Sequence, residues 1–137
     1  MKNRMHVVAL ILFVVCFLYD VVVWGSVPAL PKVGPLVAES AEREAPLATA
    51  YIAIGGAVTS AVPPLRTLGT SLLTDAWSEG FERIRDDPTV AMDLIFHSHW
   101  NASNGWLRMM YWATPVLLLA TLIFWLRRPK PVQALRR

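Results

Sequence analysis

The middle of the chain carries one group of side chains whose types and spacing could bind a ligand: Asp93, His97 and His99. Residues four apart share one face of a helix, so Asp93 and His97 could orient an imidazole or hold a metal ion. His99 points about 200° away from His97 unless the helix ends near Ser98. The pattern predicts a metal site formed by Asp93, His97 and His99. The alternative is a pair of polar histidines at a membrane surface.

Sequence patterns of other catalytic or cofactor sites are absent. No serine lies in a G-x-S-x-G sequence, and Gly55-Gly56 lies in an uncharged stretch, not in a phosphate-binding loop. Cys16 is the only cysteine, so no intramolecular disulfide can form, and it lies inside an apolar run. We therefore expect a protein that is not an enzyme and has no cofactor. A membrane-embedded enzyme is the weaker alternative.

Two long apolar stretches, residues 6–24 and 106–126, set the architecture that would position these residues. Each is about 20 residues long, the length of helix that crosses a hydrocarbon core roughly 30 Å thick. Basic residues lie on the terminal side of both stretches, and such basic flanks face the cytoplasm. We expect an all-α membrane protein of the cell inner (plasma) membrane, built as a two-span transmembrane hairpin. Its parts are a cytoplasmic N-terminus (1–5), a first transmembrane helix (6–24), a mainly helical extracytoplasmic or periplasmic segment (25–105), a second transmembrane helix (106–126) and a basic cytoplasmic tail (127–137).

The first apolar stretch has an alternative interpretation as a cleaved signal peptide. A basic N-terminus precedes an uninterrupted apolar run of 13 residues, which is a usual length for such a peptide. Apolar residues resume after Asp20, however, and the stretch ends at Trp24, in the position of an interfacial tryptophan. This continuation favours a span that is retained.

Asp20 and Arg108 are charged residues near the outer ends of the two predicted spans. A charge inside a span is costly unless it is paired or close to the surface. An antiparallel hairpin would bring these opposite charges to similar depth, which predicts an Asp20–Arg108 ion pair between the helices. The alternative is that each side chain reaches the headgroups independently.

Charge is distributed unevenly along the 137 residues. The chain carries a net charge of +3, but residues 26–105 contain nine acidic and five basic residues, a net charge of −4. The basic residues at the two ends are accounted for by orientation and by contact with membrane lipid. We therefore do not expect binding to nucleic acid.

Residues 25–105 are predicted to be mainly helical. Three prolines in residues 26–35 predict an extended connector. Helical patterns follow in residues 36–43, 47–62, 68–86 and 89–100, and residues 101–105 are predicted to be a turn. Pro46 fits the first turn of a helix, and Asp87-Pro88 fits an N-cap followed by a first helical proline.

Residues 47–62 contain no charged residue and could be a short third span. At about 16 residues the stretch is short for a crossing, and a third crossing would place the basic tail outside. We expect instead a buried or interfacial helix that packs closely on another helix, because small residues four apart line one of its faces.

Two helix faces are predicted to contact a partner protein. One is the apolar stripe of Leu73, Trp77, Phe81 and Ile84, and the other surrounds Gly55 and Gly56. The alternative is that the two faces pack on each other.

These patterns favour a non-enzymatic integral membrane protein that acts by protein–protein interaction. It would be a small accessory subunit, an assembly factor or an immunity-type partner of a larger membrane or envelope complex, and a homo-oligomer is possible. The alternative function is a metal- or haem-responsive membrane module that uses Asp93, His97 and His99.

Overall fold

The computed structural model describes residues 4–128, and every regular element in that range is a helix. The α-helices are α1 (Met5–Gly25), α2 (Gly34–Glu44), α3 (Pro46–Ala61), α4 (Pro63–Trp77), α5 (Phe81–Asp86), α6 (Ala91–His97) and α7 (Ala102–Leu126). Short 3-10 turns occupy Val27–Ala29, Ser78–Gly80 and Pro88–Val90. The all-α prediction is confirmed for this range. The predictions for residues 1–3 and 129–137, at the two basic ends, lie outside the described residues.

Local capping signals position several helix starts. Pro46 and Pro63 occupy the first turns of α3 and α4. The backbone N–H groups of a first turn have no acceptor within the helix, so proline, which lacks this N–H, costs no hydrogen bond there. The side chain of Asp87 accepts a hydrogen bond from the Thr89 backbone N–H at 3.2 Å, and Pro88 opens the turn that leads into α6. The predictions for Pro46 and for Asp87-Pro88 are confirmed.

Four predicted boundaries are wrong. The predicted helix over 89–100 ends early, because α6 stops at His97 and Ser98 is extended. Residues 26–35 are not extended, because they contain a 3-10 turn and the start of α2. The predicted helix over 68–86 divides at Ser78–Gly80, where the Trp100 indole packs on Gly80. The predicted turn over 101–105 is instead the start of α7, because the Asn101 side chain accepts from the Asn104 backbone N–H at 2.8 Å and caps the helix.

The two long helices, α1 and α7, pack along each other, and α3 and α4 pack on α1. Leu47 of α3 lines a small apolar pocket with Phe17 of α1, and Gly55 of α3 meets Gly25 at the far end of α1. Helices α1 and α3 therefore run in the same direction. The shorter helices cover only the C-terminal half of α1.

Trp24 forms the centre of the core and is completely buried. Its ring centroid lies 5.6 Å from that of Trp77, 6.1 Å from Phe96 and 5.4 Å from Tyr111. The prediction that Trp24 is an interfacial anchor is therefore wrong, because α4, α6 and α7 enclose it. The exposed tryptophans of α7 are Trp106, Trp112 and Trp125.

Helices α1 and α7 are long and apolar enough to cross a membrane, with mean hydropathy of 2.8 and 1.8 in their most apolar windows. From Met5 to Leu18, α1 exposes most of its large apolar side chains. From Asp20 to Val27, the same helix and the turn after it are almost entirely buried. The α1–α7 pair is thus exposed at the N-terminal end of α1 and surrounded by the shorter helices at the C-terminal end of α1.

Candidate functional site

Asp93 and His97 lie on one face of α6, as predicted. His97 Nε2 is 3.8 Å from Asp93 Oδ1, and both side chains are about three-quarters exposed. Helix α6 ends at His97, and Ser98 is extended, so His99 lies beyond the helix. Within residues 4–128, no group of three or more His, Cys, Asp or Glu side chains is placed to hold a metal ion. The structure therefore brings Asp93 and His97 together but does not assemble them with His99 as a three-residue group.

A cleft adjoins the Asp93–His97 pair, between the end of α2 and the helices α6 and α7. Its volume is about 440 Å³. Polar groups in its wall come from Glu44, Asp93 and His97, and aromatic rings come from Phe96, Tyr111 and Trp112. The sequence did not reveal this cleft, because its wall comes from segments nearly 70 residues apart.

The predicted apolar stripe is part of the core. Leu73, Trp77 and Ile84 are completely buried, and Phe81 is half-buried against the same core. The stripe spans two helices, α4 and α5, that fold over Trp24. It cannot serve as a docking surface while the chain is folded, so its prediction as a partner interface is wrong.

Gly55 and Gly56 lie on different faces of α3. A Cβ on Gly55 would overlap the Val21 carbonyl oxygen and the Cα of Gly25, so α3 and α1 meet backbone to backbone. The Thr59 hydroxyl, one turn later, donates to the Gly25 carbonyl oxygen at 3.3 Å. Gly56, in contrast, has no atom within 4 Å of the position of a Cβ. Only Gly56 therefore remains available for a partner.

Asp20 and Arg108 do not pair with each other, and that prediction is wrong. Asp20 is completely buried, and its Oδ2 accepts a hydrogen bond from the Thr114 hydroxyl at 2.5 Å. Arg108 donates instead to the carbonyl oxygens of Phe96 and Ser98, at 2.7 and 2.6 Å. A guanidinium stabilises these carbonyl groups because they carry partial negative charge at the C-terminus of α6.

Asn104, one turn before Arg108, contributes to the same contact. It is completely buried, and its side-chain amide donates to the carbonyl oxygens of Ile95 and Ser98, at 3.3 and 3.1 Å. Helix α7 therefore holds the end of α6 through two residues spaced four apart. This spacing was visible in the sequence, but nothing in it indicated the acceptor.

The Asp20 carboxyl is only partly satisfied. Its Oδ1 has no hydrogen-bond partner among the described residues. Tyr51 of α3 lies beside it, and the Tyr51 hydroxyl donates to the Tyr111 carbonyl oxygen at 3.2 Å. Burial raises the pKa of Tyr51, and the nearby Asp20 carboxyl acts in the same direction, so this phenol remains a donor. Asp20 thus joins α1, α3 and α7 in one buried polar cluster.

Comparisons of the chain with protein-family models, with curated proteins and with solved structures gave no match.

Proposed function

We propose that the chain is a two-span integral membrane protein that acts without catalysis, by packing against another membrane protein. In this proposal, α1 and α7 cross the cell inner membrane and both termini are cytoplasmic. Helices α2, α4, α5 and α6 lie on the outer side, and α3 packs along the outer half of α1. The protein would serve a larger membrane or envelope complex as a small accessory subunit, assembly factor or immunity-type partner.

The exposure of α7 is the observation that carries the membrane assignment. Only 11% of its most apolar 18-residue window is buried, and the corresponding figure for α1 is 33%. The apolar core helix of a soluble protein would be mostly buried, whereas a contiguous apolar surface of this length needs lipid or protein to cover it. The exposed Trp106 and Trp125 are about 28 Å apart along α7 at 1.5 Å per residue, so they also fit the two interfacial positions that tryptophan favours.

The packing of α1 supports its retention in the mature protein. Val23 and Trp24 are completely buried among the shorter helices. Cleavage after this helix would expose the Trp77 and Tyr111 rings that contact Trp24 and remove the backbone that Gly55 meets. A signal peptide is removed from the mature protein, so its residues are not expected to form the centre of that protein's core.

The outward face of α3 supports a role in helix–helix association. Ala53, Ala57 and Ser60 are exposed on it, and Gly56 has open space beside it. Small residues at such spacing allow another helix to approach closely within a membrane. The expected partner is a helix of a larger complex, and a second copy of this chain is the alternative.

The membrane placement is tested by cysteine labelling in intact cells. Cys16 is replaced by alanine, and single cysteines are introduced as Glu79→Cys in the central segment or Arg128→Cys after α7. A membrane-impermeant maleimide is expected to label Glu79→Cys in intact cells and Arg128→Cys only after permeabilisation. Equal labelling of both without permeabilisation, or release of the protein by alkaline carbonate, would contradict the placement.

The association is tested by purifying the intact protein in mild detergent and identifying partners by mass spectrometry. A stoichiometric partner is expected with the wild-type chain, and Gly56→Leu is expected to remove it. Ser71→Leu, at an exposed position on α4, is the matched control and should retain the partner. A wild-type protein that purifies alone, or a partner insensitive to Gly56→Leu, argues against this interface.

A further inference from the structure

The cleft between α2, α6 and α7 is acidic. Glu44 and Asp93 contribute carboxylates to its wall, and none of the described residues lining it is a lysine or arginine. The end of α2 and the start of α3 meet at the cleft, so the partial charges of the two helix termini oppose each other and the side-chain carboxylates provide the negative charge. A cation is therefore the expected class of ligand.

Three aromatic rings form one side of the cleft at steep angles to one another. The Tyr111 centroid lies 4.8 Å from that of Phe96 and 4.9 Å from that of Trp112, with interplanar angles of 56° and 86°. The Phe96 and Trp112 centroids are 6.3 Å apart. These rings pack on one another, and Tyr111 is only 3% exposed, whereas Trp112 is 59% exposed and is therefore the ring most available to a ligand. The π face of such a ring attracts weakly hydrated cations such as alkylammonium groups.

The cleft is continuous with an exposed apolar surface of α7. Trp112, Val116 and Leu119 are spaced four and three apart and therefore lie on one helix face. Their exposed fractions are 59%, 64% and 59%. A ligand whose cationic group occupies the cleft could thus extend a hydrocarbon chain along α7.

We propose that this cleft binds the alkylammonium group of an amphiphile, with the carboxylates of Glu44 and Asp93 and the ring of Trp112 as its recognition groups. The choline and ethanolamine headgroups of phospholipids have this chemistry. A lipid source rests on the membrane placement proposed above, whereas binding of the alkylammonium group itself does not.

The same wall is a poor metal site. Its acidic side chains are not grouped with a third ligand, as the described residues show, and a metal ion needs several oxygen or nitrogen ligands in its first coordination sphere. A space of about 440 Å³ is also far larger than a metal ion requires. An alkylammonium group needs only nearby negative charge and aromatic surface, and the cleft offers both.

The test is lipid retention by the intact protein in a neutral detergent. The protein is mixed with equal amounts of phosphatidylcholine, phosphatidylethanolamine and phosphatidylglycerol that share the same acyl chains. Native mass spectrometry then measures how much of each lipid stays bound. The two alkylammonium lipids are expected to be retained about tenfold better than phosphatidylglycerol, as one desolvated cation–π contact would give. Equal retention of all three would overturn the proposal.

Matched variants locate the binding. Trp112→Ala and Asp93→Asn should each lower retention of phosphatidylcholine to the level of phosphatidylglycerol. Trp125→Ala removes an equally exposed tryptophan at the other end of α7, and Glu79→Gln removes an exposed carboxylate elsewhere, so both should retain the preference. All four positions are exposed, so the variants should fold, and an unchanged far-UV circular dichroism spectrum checks this. A preference that survives both cleft variants would overturn the proposal.

Free choline separates the two possible sources of the alkylammonium group. Choline should displace phosphatidylcholine only at concentrations well above that of the lipid, because choline lacks the apolar chain that would contact α7. Displacement at equal concentrations would overturn the amphiphile in favour of a soluble alkylammonium compound, and no displacement at any excess would overturn the cleft as an alkylammonium site. Choline binding is measured without a bilayer, so it remains informative even if the labelling experiment contradicts the membrane placement.

Discussion

The Thr114 hydroxyl of α7 donates a hydrogen bond to the Asp20 carboxyl of α1 across the interface of the two longest helices. The exposed fractions of Asp20 and Thr114 are 0% and 4%, so water cannot replace the bond. Apolar contacts have no preferred direction, whereas this hydrogen bond forms only when Asp20 and Thr114 face each other. We infer that the Asp20–Thr114 pair fixes how the two helices align.

Thr114→Val should lower the free energy of unfolding by about 1–3 kcal/mol, because it keeps the side-chain shape but leaves the buried Asp20 carboxyl without its donor. A double-mutant cycle with Asp20→Asn should give a coupling energy of about 0.5–3 kcal/mol. Unfolding in mixed micelles with increasing SDS measures these quantities. The control cycle pairs Asp20→Asn with Arg108→Gln, which should be additive; coupling to Arg108 without coupling to Thr114 would contradict the observed pairing.

Local sequence signals predicted the helical class and several helix starts. The two long apolar stretches appear as α1 and α7, and Pro46 and Asp87 act where the spacing indicated. These predictions succeeded because helix length, proline placement and capping depend on residues close together in the chain.

The partners of Trp24, Asp20 and Arg108 could not be predicted in this way. A tryptophan at the end of an apolar stretch has the same local sequence whether it faces headgroups or a protein core. Similarly, two opposite charges at similar depth suggest an ion pair unless closer partners are known. The acceptors of Arg108 become apparent only once α6 is seen to end beside α7.

Gly55→Ala should destabilise the protein by about 1–3 kcal/mol, the usual cost of overpacking, because its Cβ would meet the backbone of α1. Gly56→Ala is the matched control at the adjacent position, where the added methyl group meets open space. It should leave stability unchanged or raise it slightly, since alanine favours helix. Thermal unfolding of both variants in one detergent provides the measurement, and equal losses would be inconsistent with the close approach of α3 to α1.

Arg108→Gln should loosen α6 while the rest of the core stays intact. The substitution removes charge-assisted hydrogen bonds to Phe96 and Ser98, a loss of about 1.5–3 kcal/mol for the end of that helix. Hydrogen exchange should therefore accelerate in residues 91–98, and amides of α3 should exchange as before. Arg66→Gln is the control, because the exposed Arg66 donates a hydrogen bond to an exposed serine hydroxyl and not to the end of a helix. Faster exchange throughout the chain would indicate a global role for Arg108 instead.

Trp24→Ala should cost about 3–5 kcal/mol of unfolding free energy, because it empties the space at the centre of the aromatic core. Trp125→Ala changes a tryptophan that is 57% exposed at the other end of the helix pair, so its effect on unfolding in detergent should be small. The comparison separates a core tryptophan from an interfacial one. Trp24→Phe should recover part of the loss, since a smaller ring can still pack near Trp77 and Tyr111. Equal, small effects for Trp24→Ala and Trp125→Ala would mean that the shorter helices do not enclose the end of α1.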